Sequence, residues 1–121
     1  MVSVVMPVID AAVMFEVAYR VAIEFDPKHY RAHNNFGLLL ASQQKFDEAI
    51  AHYRLAIALS PDYANAHSNL GDALRAQGKL DEAVSAYAEA LRVDPDFTEA
   101  SENFDSARKE LEGLSDAASG S

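Results

Sequence analysis

Cysteine is absent from all 121 residues, which rules out both a disulfide framework and a thiolate metal site. A reducing compartment suits such a chain, and a cytoplasmic location is expected. Basic residues are scarce: 10 Lys and Arg face 19 Asp and Glu, for a formal net charge of −9. A chain so acidic has no basic stripe with which to displace counterions from phosphates, so nucleic acid and anionic membrane surfaces are excluded as partners. No stretch reaches the roughly 18 apolar residues of a membrane span. Met1–Ile9 is apolar but short, and Asp10 interrupts it. It lacks the basic start and the apolar core of roughly 7–15 residues that mark a signal peptide. Glycine-rich phosphate loops and nucleophile elbows are also missing.

What the chain does have is a period. Pro27, Pro61 and Pro95 are spaced by 34 residues, and 30–63 aligned on 64–97 without a gap gives 14 identities in 34. A repeat of this length marks stacked supersecondary units that bury a continuous core between neighbours. Ala32, Phe36 and Leu40, then Phe46, Ala49, Ile50, Tyr53, Ala56 and Ile57, follow helical spacing in the first unit. Ala66, Leu70 and Leu74, then Leu80, Ala83, Val84, Tyr87, Ala90 and Leu91, do so in the second. Each proline ends a unit, because the residue before it is pushed out of the helical region. Gly37 and Gly71 lie inside helices, where glycine costs up to about 1 kcal/mol relative to alanine. Their recurrence at one phase predicts the close approach of a neighbouring helix.

These residues make the chain resemble the tetratricopeptide repeat family. His67, Leu70, Gly71, Leu74, Ala83, Tyr87, Ala90 and Pro95 fill the family's signature positions in one unit. His33, Phe36, Gly37, Leu40, Ala49, Tyr53, Ala56 and Pro61 fill them in the other. Two departures are mild: histidine replaces an aromatic, and Gln44 occupies the turn where Gly78 is conventional. The resemblance implies an all-α, right-handed solenoid of helical hairpins. The expected organisation is an apolar leader and partial repeat over 1–29, units at 30–63 and 64–97, a capping helix at 98–112 and a flexible tail at 113–121.

In this family the first helix of each unit lines a concave groove. On that register Arg31, Asn34, Asn35 and Leu38, then Asn65, Asn69, Asp72 and Arg75, then Asn103 and Lys109 are the candidate contacts for a peptide or protein. Asn35, Asn69 and Asn103 recur at intervals of 34, although asparagine is a middling helix former. An amide carries donor and acceptor together and so matches the backbone of an extended peptide. The ladder is similar to that of the O-linked N-acetylglucosamine transferase repeats and related bacterial repeat proteins. The competing reading is that these amides bond to adjacent helices and hold the stack. The carboxylate clamp of co-chaperone repeats fits poorly: Asn34, Leu38, Asn69, Glu99 and Asn103 stand at its positions, and only Asn69 matches.

At the start, Phe15, Tyr19, Ala22 and Pro27 continue the phase of a second helix that lacks a full first helix. Ile9, Val13, Met14, Val17 and Val21 add apolar surface there, expected either to mark a fragment or atypical cap or to support self-association into a homo-oligomer. His29 and His33, four residues apart, are a weak metal pair, because His33 occupies a core position. No cofactor, metal or catalytic group is expected. The leading function is a noncatalytic interaction module that holds an extended peptide in its groove. The alternatives are a scaffold that self-associates through its leading helix, and a substrate-recognition fragment of a larger enzyme such as a glycosyltransferase.

Overall fold

The computed structural model describes residues 10–119 and, over that span, six helices. They are α1 (Ala11–Phe25), α2 (Tyr30–Ser42), α3 (Phe46–Leu59), α4 (Ala64–Ala76), α5 (Leu80–Val93) and α6 (Thr98–Ser119). Helices α1, α3 and α5 end at Phe25, Leu59 and Val93. Asp26, Ser60 and Asp94 follow with ψ of 89°, 85° and 91°, the extended backbone that a following proline imposes. Acidic pairs Asp47-Glu48 and Asp81-Glu82 fill the first turns of α3 and α5, where unpaired N–H groups favour negative charge.

The hairpin turns close by a shared bonding pattern. Lys45 N–H donates to Leu40 O and Gln44 N–H to Ala41 O, each at 2.9 Å. Lys79 and Gly78 repeat both bonds onto Leu74 and Arg75. This geometry needs a left-handed residue: Gly78 has φ 77°, and Gln44 adopts φ 62° despite its side chain. The substitution seen in the sequence therefore leaves the turn intact and puts backbone strain at Gln44.

Each helix packs on its neighbours in sequence, and α2 also touches α4 while α4 touches α6. Among the described residues the backbones of the second helices α1, α3 and α5 stay apart, and α3 meets α5 through the Arg54–Glu82 ion pair at 3.8 Å. A stack whose first helices are close and whose second helices stand apart curves, with α2, α4 and α6 on the inside. The core runs through the units without a break, and Tyr53, Tyr87 and Leu40 are its largest fully buried side chains. The predicted close approach at the two glycines is real. A Cβ at Gly37 would lie 2.5 Å from Tyr53 Cε1, and one at Gly71 would lie 2.6 Å from Tyr87 Cε1.

The two ends depart from the repeat. Helix α1 buries none of its residues, and Phe15 is exposed where the equivalent Ala49 and Ala83 are fully buried. Tyr19 and the Arg20 guanidinium, 5.0 Å from the Phe36 ring, join α1 to α2. Helix α6 does not stop at 112 but continues through Gly113 to Ser119. The small, polar composition of 113–119 suggested fraying. However, the segment contains no proline, it includes alanines, and one helical glycine costs only about 1 kcal/mol.

Candidate functional site

The groove-facing residues divide into two sets. In the first, side chains bond across the stack. Asn34, 2% exposed, accepts at Oδ1 from Asn69 Nδ2 at 2.9 Å, tying α2 to α4. Asp72 Oδ1 accepts from Asn103 Nδ2 at 3.2 Å, tying α4 to α6, and also from the Tyr87 hydroxyl. The Arg75 guanidinium donates to Glu110, a second link between α4 and α6. Three consecutive inner helices are thus joined by a row of polar rungs.

The rungs bear the marks of partial burial. Burial is the main influence on the Asp72 carboxyl and raises its pKa above the ordinary carboxylate value. The Tyr87 hydrogen bond opposes this, the nearby Glu99 charge adds to it, and Arg75 offsets it. Burial likewise raises the Tyr87 phenol, reinforced by its bond to Asp72. The Arg75 hydrogen bond lowers the Glu110 carboxyl.

The second set has no side-chain hydrogen bond among the described residues. Arg31, Asn35, Leu38, Asn65 and Lys109 all point to solvent, with Leu38 45% exposed. Asn35, Leu38 and Leu39 of α2 line a hollow of about 250 Å³ together with Phe15 and Tyr19 of α1. The asparagine ladder is therefore not uniform. Asn69 and Asn103 are rungs between helices, whereas Asn35 carries a free amide at the open end of the groove.

Of the apolar residues singled out on the leading helix, Val13 (48%), Met14 (60%), Val17 (55%) and Val21 (43%) are exposed together on α1. Ile9 lies outside the described residues. His29 and His33 do not converge on a common point. His29 Nδ1 accepts from the Ala32 N–H, while His33 bonds to the Pro27 carbonyl and to His52. Among the described residues no group of three or more His, Cys, Asp or Glu could hold a metal ion, and no helix is long and apolar enough to cross a membrane.

Sequence reasoning overlooked Glu110 as the partner of Arg75 and the Tyr87 hydroxyl as a donor to Asp72. The second had a faint signal, since an aspartate replaces Leu38 one repeat later. Because Tyr53 recurs opposite Leu38, the tyrosine alone does not point to an acceptor.

Known proteins provide independent comparisons. A TPR repeat profile matches residues 37–74, and tetratricopeptide repeat profiles match 18–51 and 64–97, the last coinciding with the second unit. No curated protein sequence matches the chain. Among solved structures, the first TPR of Spaghetti (RPAP3) bound to the HSP90 peptide SRMEEVD is 28% identical, with a TM-score of 0.77 over 79% of this chain and 76% of that one. The first TPR domain of human RPAP3, solved by NMR, is 28% identical with a TM-score of 0.78, covering 81% of this chain and 77% of that one. A mutant O-GlcNAc transferase from Thermobaculum terrenum is also 28% identical, at a TM-score of 0.76 over 79% of this chain but only 18% of that enzyme. The three profile matches run without a break from 18 to 97, over helices with the hairpin turns, proline boundaries and glycine–tyrosine contacts of the repeat: the chain belongs to the tetratricopeptide repeat family.

Proposed function

We propose that this chain is a noncatalytic interaction module that holds an extended peptide along the inner face of α2, α4 and α6. Arg31, Asn35, Leu38 and Asn65 make the direct contacts. The observation that carries the reading is Asn35: its amide is exposed and unpartnered beside the hollow that Leu38 helps to line. A free amide there offers donor and acceptor to a peptide backbone, and the hollow receives an apolar side chain. Asn34, Asn69, Asp72, Arg75 and Asn103 hold the surface in shape, and Asn69 and Asn103 keep unused amide valences for a ligand. Lys109 flanks the far end.

The similar RPAP3 structure holds an acidic peptide. In this chain Glu99 and Asp72 make the far half of the groove acidic, so a neutral or basic peptide suits it better. Panning a library of random nine-residue peptides on the protein tests the reading. The enriched peptides should lose at least about tenfold in affinity on the Arg31→Ala, Asn35→Ala, Leu38→Ala triple variant. Equal binding to both proteins would overturn the proposal.

The exposed stripe of Val13, Met14, Val17 and Val21 supports a second reading, in which α1 pairs with another copy. Replacing Val13, Met14 and Val17 with serine should then reduce the solution mass to that of one chain. An unchanged mass would dismiss it.

A further inference from the structure

The outer face carries a space that is filled in one repeat and open in the next. In the first unit the Phe36 and His52 rings meet edge to face at 4.6 Å, and His52 also stacks on His33 at 5.4 Å. His33 Nε2 lies 2.9 Å from the Pro27 carbonyl, which can only accept, so in the neutral ring the proton sits on Nε2. Its Nδ1 is then an acceptor, and His52 Nδ1–H donates to it at 3.2 Å. His52 is thus a plug consisting of an aromatic ring with an N–H aimed at the floor histidine.

One repeat later the floor is the same and the plug is gone. His67 Nε2 donates to the Pro61 carbonyl at 2.8 Å, while its Nδ1 has no partner among the described residues. Leu70 stands in place of Phe36, and Ala86 in place of His52. A cavity of about 430 Å³ opens there between the outer helices α3 and α5, with His67, Leu70 and Ala86 among its lining. That volume is at the lower end of the roughly 300–1,000 Å³ of ligand sites, more than one ring requires. Asp81, Glu82 and Glu89 edge it; Arg54 lies 3.8 Å from Glu82 and Arg92 Nε donates to Glu89 at 2.9 Å, which leaves Asp81 without an ion-pair partner among the described residues.

We propose that this outer cavity is a second binding site, independent of the groove, for a histidine of a partner protein flanked by lysine or arginine. The incoming ring takes the place that His52 takes one repeat earlier. Its N–H donates to His67 Nδ1, its faces lie on Leu70 and Ala86, and a flanking cation meets Asp81. The acidic edge selects against an acidic segment.

The test uses a nine-residue peptide of alternating lysine and serine with one central histidine, and the same peptide with alanine at the centre. Binding to the full chain is followed by calorimetry and by amide shifts at about pH 7.5, above the ordinary histidine value of about 6.5. The histidine peptide should bind at least about tenfold more tightly than the alanine one and shift Leu70 and Ala86. Ala86→His, which installs the chain's own plug, should abolish binding. His52→Ala should raise the stoichiometry from one to two by opening the matching space. The triple groove variant should bind as the wild type does, which separates this site from the groove. Equal affinity for the two peptides, or undiminished binding by a folded Ala86→His protein, would overturn the proposal.

Discussion

Replacing Gly71 with alanine probes the packing of the stack at its tightest point. The added Cβ would lie 2.6 Å from Tyr87 Cε1, 2.8 Å from Cδ1 and 2.9 Å from Cζ, well inside van der Waals contact. The ring cannot simply swing away. Tyr87 is fully buried, and its hydroxyl is anchored on Asp72. Overpacking of this kind costs about 1–3 kcal/mol, and a ring held at both ends puts the cost near the top of that range. Alanine regains about 1 kcal/mol of helix propensity, which leaves a net loss of about 2 kcal/mol. Gly113 is the internal control. It also lies within a helix, but nothing stands within 4 Å of its Cβ position, so Gly113→Ala should gain about 0.5 kcal/mol. Urea unfolding followed by far-UV circular dichroism measures both. The Gly71 variant should also melt roughly 10 °C lower, given about 4–8 °C per kcal/mol for a domain of this size. If the two variants shifted stability in the same direction, or Gly71→Ala melted no lower than wild type, the steric account of the recurring glycines would be refuted.

Gln44→Gly should stabilise the chain by about 1 kcal/mol, because it relieves the left-handed backbone at φ 62°; an unchanged denaturation midpoint would contradict this. Burial lowers the His52 pKa below 6.5, with His33 and Arg20 adding to the shift and Glu48 opposing it. A depressed histidine stabilises the fold above the unfolded value and loses that contribution as pH falls through the folded one. Melting temperature should therefore drop as pH falls below 6.5, and His52→Ala should flatten that part of the profile. For Asp72 the sign reverses: its raised pKa makes ionisation costly in the folded chain, so this group adds stability as pH falls through its folded value toward the ordinary carboxylate range. Wild type should gain stability relative to Asp72→Asn over that interval; a constant difference between the two would contradict this.

The parts legible in the sequence were those set by local chemistry repeated in step. Pre-proline residues ended three helices, and alanines and tyrosines at one phase marked the core. A glycine at the matching phase announced a neighbour within van der Waals reach. The row of polar rungs was only half legible. The recurrence of asparagine every 34 residues pointed to the inner face. However, Asn69 bonds to Asn34 rather than to another ladder member, and Asn103 bonds to Asp72. Such partners depend on the offset between adjacent helices, which a periodic pattern does not specify. The Arg75–Glu110 pair was hidden for the same reason, being separated by 35 residues rather than by the repeat length. The outer cavity was present in the sequence as a plain mismatch, His52 against Ala86. Its meaning depended on knowing that the two outer helices stand apart over the Leu70 floor.

The division of the inner face into structural rungs and free contacts is tested most directly by thermal unfolding of Asn69→Ala beside Asn35→Ala. Removing Asn69 strands the buried Asn34 Oδ1 and should cost about 1–3 kcal/mol, whereas removing Asn35 breaks no bond and should leave stability unchanged or slightly raised. Equal losses in the two variants, or a stable Asn69→Ala beside a destabilised Asn35→Ala, would contradict the account.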